Sequence, residues 1–216
     1  MRFLVLILSL VHMEIQGELT GVELVISPGE LDTGNSLYTI SQMGDTVYVN
    51  FGSFINPLYF ASRVKIYVFY PESSSVGLDL TLSFSSLVGD FTQGSLKECI
   101  LDLRMSGAKL VLSSQSRSSI RAYSFLSNLI IVGAEGLKDV ARFNLDGGKL
   151  GLYYLAPGGE TVDINARGAR ISISPYDHLD FESRGFLNIR AGGRYNYPEG
   201  FPSIRLFGNF NIIKIE

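Results

Sequence analysis

The chain has 216 residues, 46% of them hydrophobic and 18% charged, with 18 basic and 21 acidic side chains giving a net charge of −3. That is room for one domain or two small ones, too apolar for intrinsic disorder and too nearly neutral for charge-driven nucleic-acid binding. A single cysteine, Cys99, and two histidines, His12 and His178, exclude a disulfide framework, a Cys-based zinc cluster and a His-rich metal site.

In chain order, one positive charge at Arg2 precedes an apolar run from Phe3 to Val11 that is too short to span a bilayer. This is the outline of a secretory signal, and the best cleavage point follows Ile15-Gln16-Gly17, so residues 1–17 read as a signal peptide or N-terminal anchor. The same residues also suit a buried first strand, because Val5, Ile7 and Ser9 alternate with Leu4, Leu6 and Leu8. The chain has no second long apolar run, which excludes a multispanning membrane protein.

Residues 18–71 contain the turn signals Ser27-Pro28-Gly29 and Asp32-Thr33-Gly34-Asn35 between short strands, then an aromatic-rich half with Phe51, Phe54, Tyr59, Phe60, Tyr67, Phe69 and Tyr70. This segment is expected to be a β unit that caps a stack built by the rest of the chain. Over residues 72–216 period-2 alternation recurs and helical periodicity does not. Val162, Ile164 and Ala166 alternate with Asp163, Asn165 and Arg167, and beyond Gly168 the apolar set continues as Ala169, Ile171 and Ile173. Cys99, Leu101, Leu103 and Met105 before Gly107, with Ala108, Leu110 and Leu112 after it, make the same unit.

Each unit is a strand, a corner that a glycine turns easily, and a second strand. Corners are predicted at Gly89, Gly107, near Ser127, and at Gly148, Gly168, Gly185 and Gly208, a spacing of about 20 residues that fits two short strands and two turns. The expected fold is all-β, a single-stranded β-helix or solenoid-like stack of these repeats; an antiparallel β-sandwich is the alternative.

Few residues suggest chemistry. His178, Asp180 and Glu182, with Asp177 adjacent, share one strand face, but three ligands from one strand rarely converge on an ion, and pairing with Arg184, Arg167 or Arg170 accounts for them. Asp79, Asp102 and Asp163 are outward carboxylates with no sign of convergence, as a glycan-cleaving enzyme would need. Cys99 belongs to the inward set and reads as a small buried apolar residue. No catalytic residue, metal site or cofactor is expected. The best binding candidate is the loop 194–202, where Arg194, Tyr195, Tyr197 and Phe201 are interleaved with two prolines.

Three stretches resemble the toast-rack group of bacterial and archaeal envelope proteins, which includes adhesin-type domains and the carboxy-terminal domain of LiaF-type cell-wall stress proteins. They are Val22-Glu-Leu-Val-Ile-Ser-Pro-Gly-Glu-Leu31, Thr161-Val-Asp-Ile-Asn-Ala-Arg-Gly-Ala-Arg-Ile-Ser-Ile-Ser-Pro175, and Arg205-Leu-Phe-Gly-Asn-Phe-Asn-Ile-Ile-Lys-Ile215, with the unit around Gly185 between the last two. The corners read Arg-Gly-Ala, Arg-Gly-Phe and Phe-Gly-Asn where the family pattern has Phe-Gly-Asp. The resemblance implies a right-handed β-helix-like stack outside the cytoplasm with no catalytic residues to carry over.

The function expected on these grounds is a non-enzymatic structural, adhesive or interaction module of the cell envelope. Its partner would be a cell-surface protein or glycan, with no nucleic acid, and with membrane contact only through the N-terminal segment. An envelope-stress sensor domain is the alternative, and a glycan-active β-helix enzyme a third reading.

Overall fold

The computed structural model describes residues 12–32, 35–58, 62–114, 116–134, 137, 140–155, 161–175, 181–191 and 204–215. They form nineteen strands: β1 (His12–Thr20), β2 (Val22–Pro28), β3 (Thr39–Met43), β4 (Thr46–Ile55), β5 (Val64–Tyr70), β6 (Ser75–Ser83), β7 (Ser86–Phe91), β8 (Ser95–Arg104), β9 (Gly107–Leu112), β10 (Ser119–Phe125), β11 (Asn128–Val132), β12 (Ala141–Asp146), β13 (Lys149–Leu155), β14 (Val162–Arg167), β15 (Arg170–Pro175), β16 (Phe181–Arg184), β17 (Ile189–Ala191), β18 (Ile204–Asn209) and β19 (Ile212–Ile215).

A ten-stranded sheet has the order β16-β18-β14-β12-β10-β8-β6-β1-β4-β3, and a nine-stranded sheet the order β17-β19-β15-β13-β11-β9-β7-β2-β5. From β6 to β15 the chain alternates between them, so each rung places one strand in either sheet. Among the described strands only β3 and β4 pair antiparallel; the other ladders are parallel, as a solenoid requires and an antiparallel sandwich does not.

Hydrophobic alternation explains the stacking. Ile15, Leu78, Cys99, Ile120, Ala141, Val162 and Ile204 are in-register neighbours on successive rungs and are all buried, so Cys99 fills one place in an aliphatic column. Each fully buried aliphatic side chain in such a column contributes about 1.5–3 kcal/mol before chain entropy is subtracted. One hydrophobic core runs from Met13 to Ile215. It begins inside the stretch read as a leader: Met13 and Ile15 of β1 are fully buried, so the predicted division after Gly17 falls within a paired strand. Residues 18–71 supply β2 to β5 and share this core with the repeats.

The corners differ from expectation in which residues make them. Phe84, Met105, Leu126, Gly147 and Gly168 are left-handed, with φ between 48° and 74°, and succeed one another at a constant step of 21 residues. Met105, placed with the inward set by its alternation, turns outward here and is 49% exposed. Gly89 lies within β7, Gly107 begins β9 and Gly208 belongs to β18, whereas Gly148, Gly168 and Gly185 lie between strands with positive φ, where the chain turns. At Gly89 a Cβ would sit 2.6 Å from the Phe91 ring, so that glycine makes room for packing and does not form a corner.

Stack order departs from chain order at both ends. The β1–β2 rung lies between β4–β5 and β6–β7, and the β18–β19 rung lies between β14–β15 and β16–β17. The connection from β2 to β3 lays Leu31, Leu37 and Tyr38 on the core, with the Tyr38 ring edge-on to Phe51 at 5.3 Å.

Candidate functional site

Alternation that buries Leu101 and Leu103 turns Asp102 and Arg104 outward on the ten-stranded sheet, and the same holds on the rungs beyond. Because the registers are regular, outward residues fall into columns along the stack. Asp102, Tyr123, Asn144, Asn165 and Phe207 form one; Arg104, Phe125, Asp146 and Arg167 form the next. Together they line a shallow groove of about 680 Å³ that crosses five strands, from β8 to β18.

Three aromatic rings are presented there rather than packed away: Tyr123 is 54% exposed, Phe125 49% and Phe207 36%. Between the Tyr123 and Phe207 rungs the floor is polar. The Asn165 amide nitrogen donates to the Asn144 carbonyl oxygen at 3.1 Å, which fixes both amide planes along the column. Arg104 donates to one Asp102 oxygen at 2.7 and 3.2 Å, and the carboxylate beside it raises the pKa of the guanidinium. Asp146 and Arg167 stand opposite each other in register, so the four charges of the groove cancel.

The carboxylates singled out in the sequence do not come together. Asp163 is held by Arg205 at 2.7 Å and approached by Arg142 at 3.8 Å, while Asp102 is paired with Arg104. Asp79 lies on β6, four rungs from Asp163, or roughly 19 Å at the usual strand spacing. Glu182 pairs with Arg184 on its own strand, whereas Asp177, His178 and Asp180 lie outside the described residues. Among the described residues no three His, Cys, Asp or Glu side chains group as metal ligands would. Cys99 is fully buried, and burial pushes its thiol pKa up, the reverse of what a reactive thiol needs. The loop residues Arg194, Tyr195, Tyr197 and Phe201 also lie outside the described residues.

Sequence reading missed the groove, although a signal existed. Laying the chain out at a period of 21 residues places Tyr123, Asn144 and Asn165 in one file, with Phe207 two periods further on.

No family model and no curated protein matches the sequence. A solved structure of a proposed cell adhesion protein from Clostridium sporogenes is similar over 96% of this chain and 92% of that one, at 10% sequence identity and a TM-score of 0.39.

Proposed function

We propose that the chain is a non-catalytic interaction module of the cell envelope, adhesive or structural in role, which engages its partner through the outer face of the ten-stranded sheet. The observation that carries this reading is the groove itself, where three exposed aromatic rings flank ordered amides and paired charges on a rigid stack. Exposed aromatics on a fixed scaffold lose little conformational freedom when a partner covers them, which makes such a face suited to binding. Binding without turnover is supported by the separation of Asp79, Asp102 and Asp163 and by the arginines that hold two of them. A location outside the cytoplasm rests on the apolar run from Phe3 to Val11 and on the toast-rack resemblance.

The test is cosedimentation of the purified full chain with isolated bacterial envelopes. Saturable binding by the wild type, lost in the Tyr123→Ala/Phe207→Ala double variant at unchanged melting temperature, is the expected result. Equal binding by the variant, or none by the wild type, overturns the reading. Release of reducing ends from the envelope polysaccharide, abolished by Asp102→Asn, would show an enzyme instead.

A further inference from the structure

Resting on the reading of the groove as the binding face, the geometry points to its ligand class: we infer a linear, uncharged polysaccharide lying along the stack axis. Three features converge on this. First, the charge of the groove is balanced, with Asp102 and Asp146 set against Arg104 and Arg167 and one of these pairs already closed at 2.7 Å. A polyanion such as a nucleic acid or an acidic glycan gains affinity from surplus positive charge and the counterions it releases; the groove's own lining offers none, and the surplus of Arg121, Arg142 and Arg205 over Asp163 lies in the neighbouring column, outside that lining.

Second, the functional groups are those that polyhydroxylated rings use. The Asn144–Asn165 pair presents amide donors and acceptors side by side, which suits hydroxyls because each hydroxyl both donates and accepts. The exposed rings of Tyr123 and Phe207 stand at the two ends of this polar floor. An aromatic face is electronegative, and the C–H face of a pyranose supplies the weakly positive surface that packs on it. A protein partner would favour a contiguous apolar centre with a polar rim; here the apolar groups are at the ends and the polar pair is in the middle.

Third, the repeat matches. Tyr123, Asn144, Asn165 and Phe207 occupy four adjacent strands in register, one side chain per rung, so successive contacts recur at about 4.8 Å and the file spans roughly 14 Å. An extended pyranoside chain advances by a closely similar distance per sugar. A glycan laid across the strands therefore meets aromatic, amide, amide and aromatic in turn, over about four units.

Calorimetry of the full chain with cellohexaose, chitohexaose, xylohexaose and mannohexaose, with the matching disaccharides and with heparin, tests this. Binding of at least one hexaose, about tenfold or more tighter than its disaccharide and tighter than heparin, is expected. Tyr123→Ala and Phe207→Ala should each weaken that binding about tenfold at unchanged melting temperature, while Tyr123→Phe retains it. Envelope binding without affinity for any of the four hexaoses would overturn the ligand class and leave the interaction module standing. Loss of both would overturn the two readings together, and tighter binding of heparin would replace a neutral ligand with a polyanion.

Discussion

The backbone amide of Ser85 donates to the hydroxyl oxygen of Ser106 on the next rung at 3.1 Å, and the amide of Ser106 does the same to Ser127 at 2.9 Å. Val22 begins the file by donating to Ser85 at 3.1 Å. Each hydroxyl then donates back, with Ser106 within reach of Leu82 and Arg104 carbonyls at 2.8 and 2.9 Å. These serines are buried just past the corners, where the chain changes sheets and the strand ladder cannot serve every amide.

Ser106→Ala removes the acceptor of the Ser85 amide and leaves it buried. The expected cost is about 1–3 kcal/mol, which for a chain of this size lowers the melting temperature by several degrees. Urea denaturation measures it directly, and a midpoint equal to wild type would show that the ladder contributes nothing.

The corners make opposite predictions for addition and removal of a side chain. Met105 is left-handed at φ 50° and half exposed, so Met105→Gly relieves a backbone strain of about 1 kcal/mol with little packing lost. Gly168→Ala should cost a similar amount, because φ is 64° and nothing lies within 4 Å of the new Cβ. Gly148→Ala should be far worse, since its Cβ would sit 1.9 Å from the Ser127 carbonyl oxygen. Similar losses for the two alanine variants, by chemical denaturation, would contradict this account.

Ile164 and Ile171 are fully buried on the two strands that flank Gly168. Ile164→Asp or Ile171→Asp places an unpaired charge in the core and should abolish cooperative unfolding. Ile164→Ala should fold with a loss of about 2–5 kcal/mol. A melting curve for either aspartate variant close to that of wild type would refute the inward assignment.

Met13 and Ile15 commit β1 to the core, with β4 on one side and β6 on the other. A chain beginning at Glu18, which lacks both residues, should therefore not melt cooperatively. Mass spectrometry of the N-terminus after expression in an exporting host gives the parallel test. A stable, folded product starting at Glu18 would show that β1 is dispensable.

Alkaline pH acts on Tyr70 and Cys99. Both are buried, and burial raises the pKa of each; the Tyr70 hydroxyl donates to the Asp90 carbonyl at 2.7 Å. In the unfolded chain these groups ionise near pH 8.5 for the thiol and about 10 for the phenol, so above those values the native state holds more protons and stability falls as pH rises. Melting temperature should decline above about pH 9, and the Tyr70→Phe/Cys99→Ala double variant should show a shallower decline. An identical slope in wild type and variant would rule these two groups out.

The interior was legible because burial has a period. Leu101 and Leu103, Ala108 and Leu110, Ile164 and Ile171 all face inward as their alternation requires. The corners are legible only in part, because glycine is the sequence signal for a left-handed turn while Phe84, Met105 and Leu126 adopt it with full side chains, and of these only the corner near Ser127 stands out without a glycine. The order of the end rungs was hidden for a different reason. His12 pairs with Ser75 and Val162 with Ile204, so the partners are 63 and 42 residues apart, and alternation tells which way a side chain points without telling which strand lies beside it. The groove escaped notice because its members are local singletons, as with Tyr123 and Phe207, that become neighbours only through the register.

The exchanged rungs at the two ends also set how the molecule would carry tension. In a plain solenoid a pull on the outermost strand peels one ladder, and rungs then detach one after another. Here β1 is gripped by β4 and β6, and β18 by β14 and β16. A pull applied through either strand must shear two parallel ladders at once, so resistance is concentrated at the start of extension. Under such a load, force would be borne by backbone hydrogen bonds loaded together, and the stretch of sheet that presents Tyr123 and Phe207 would keep its shape until one of those clamps gave way.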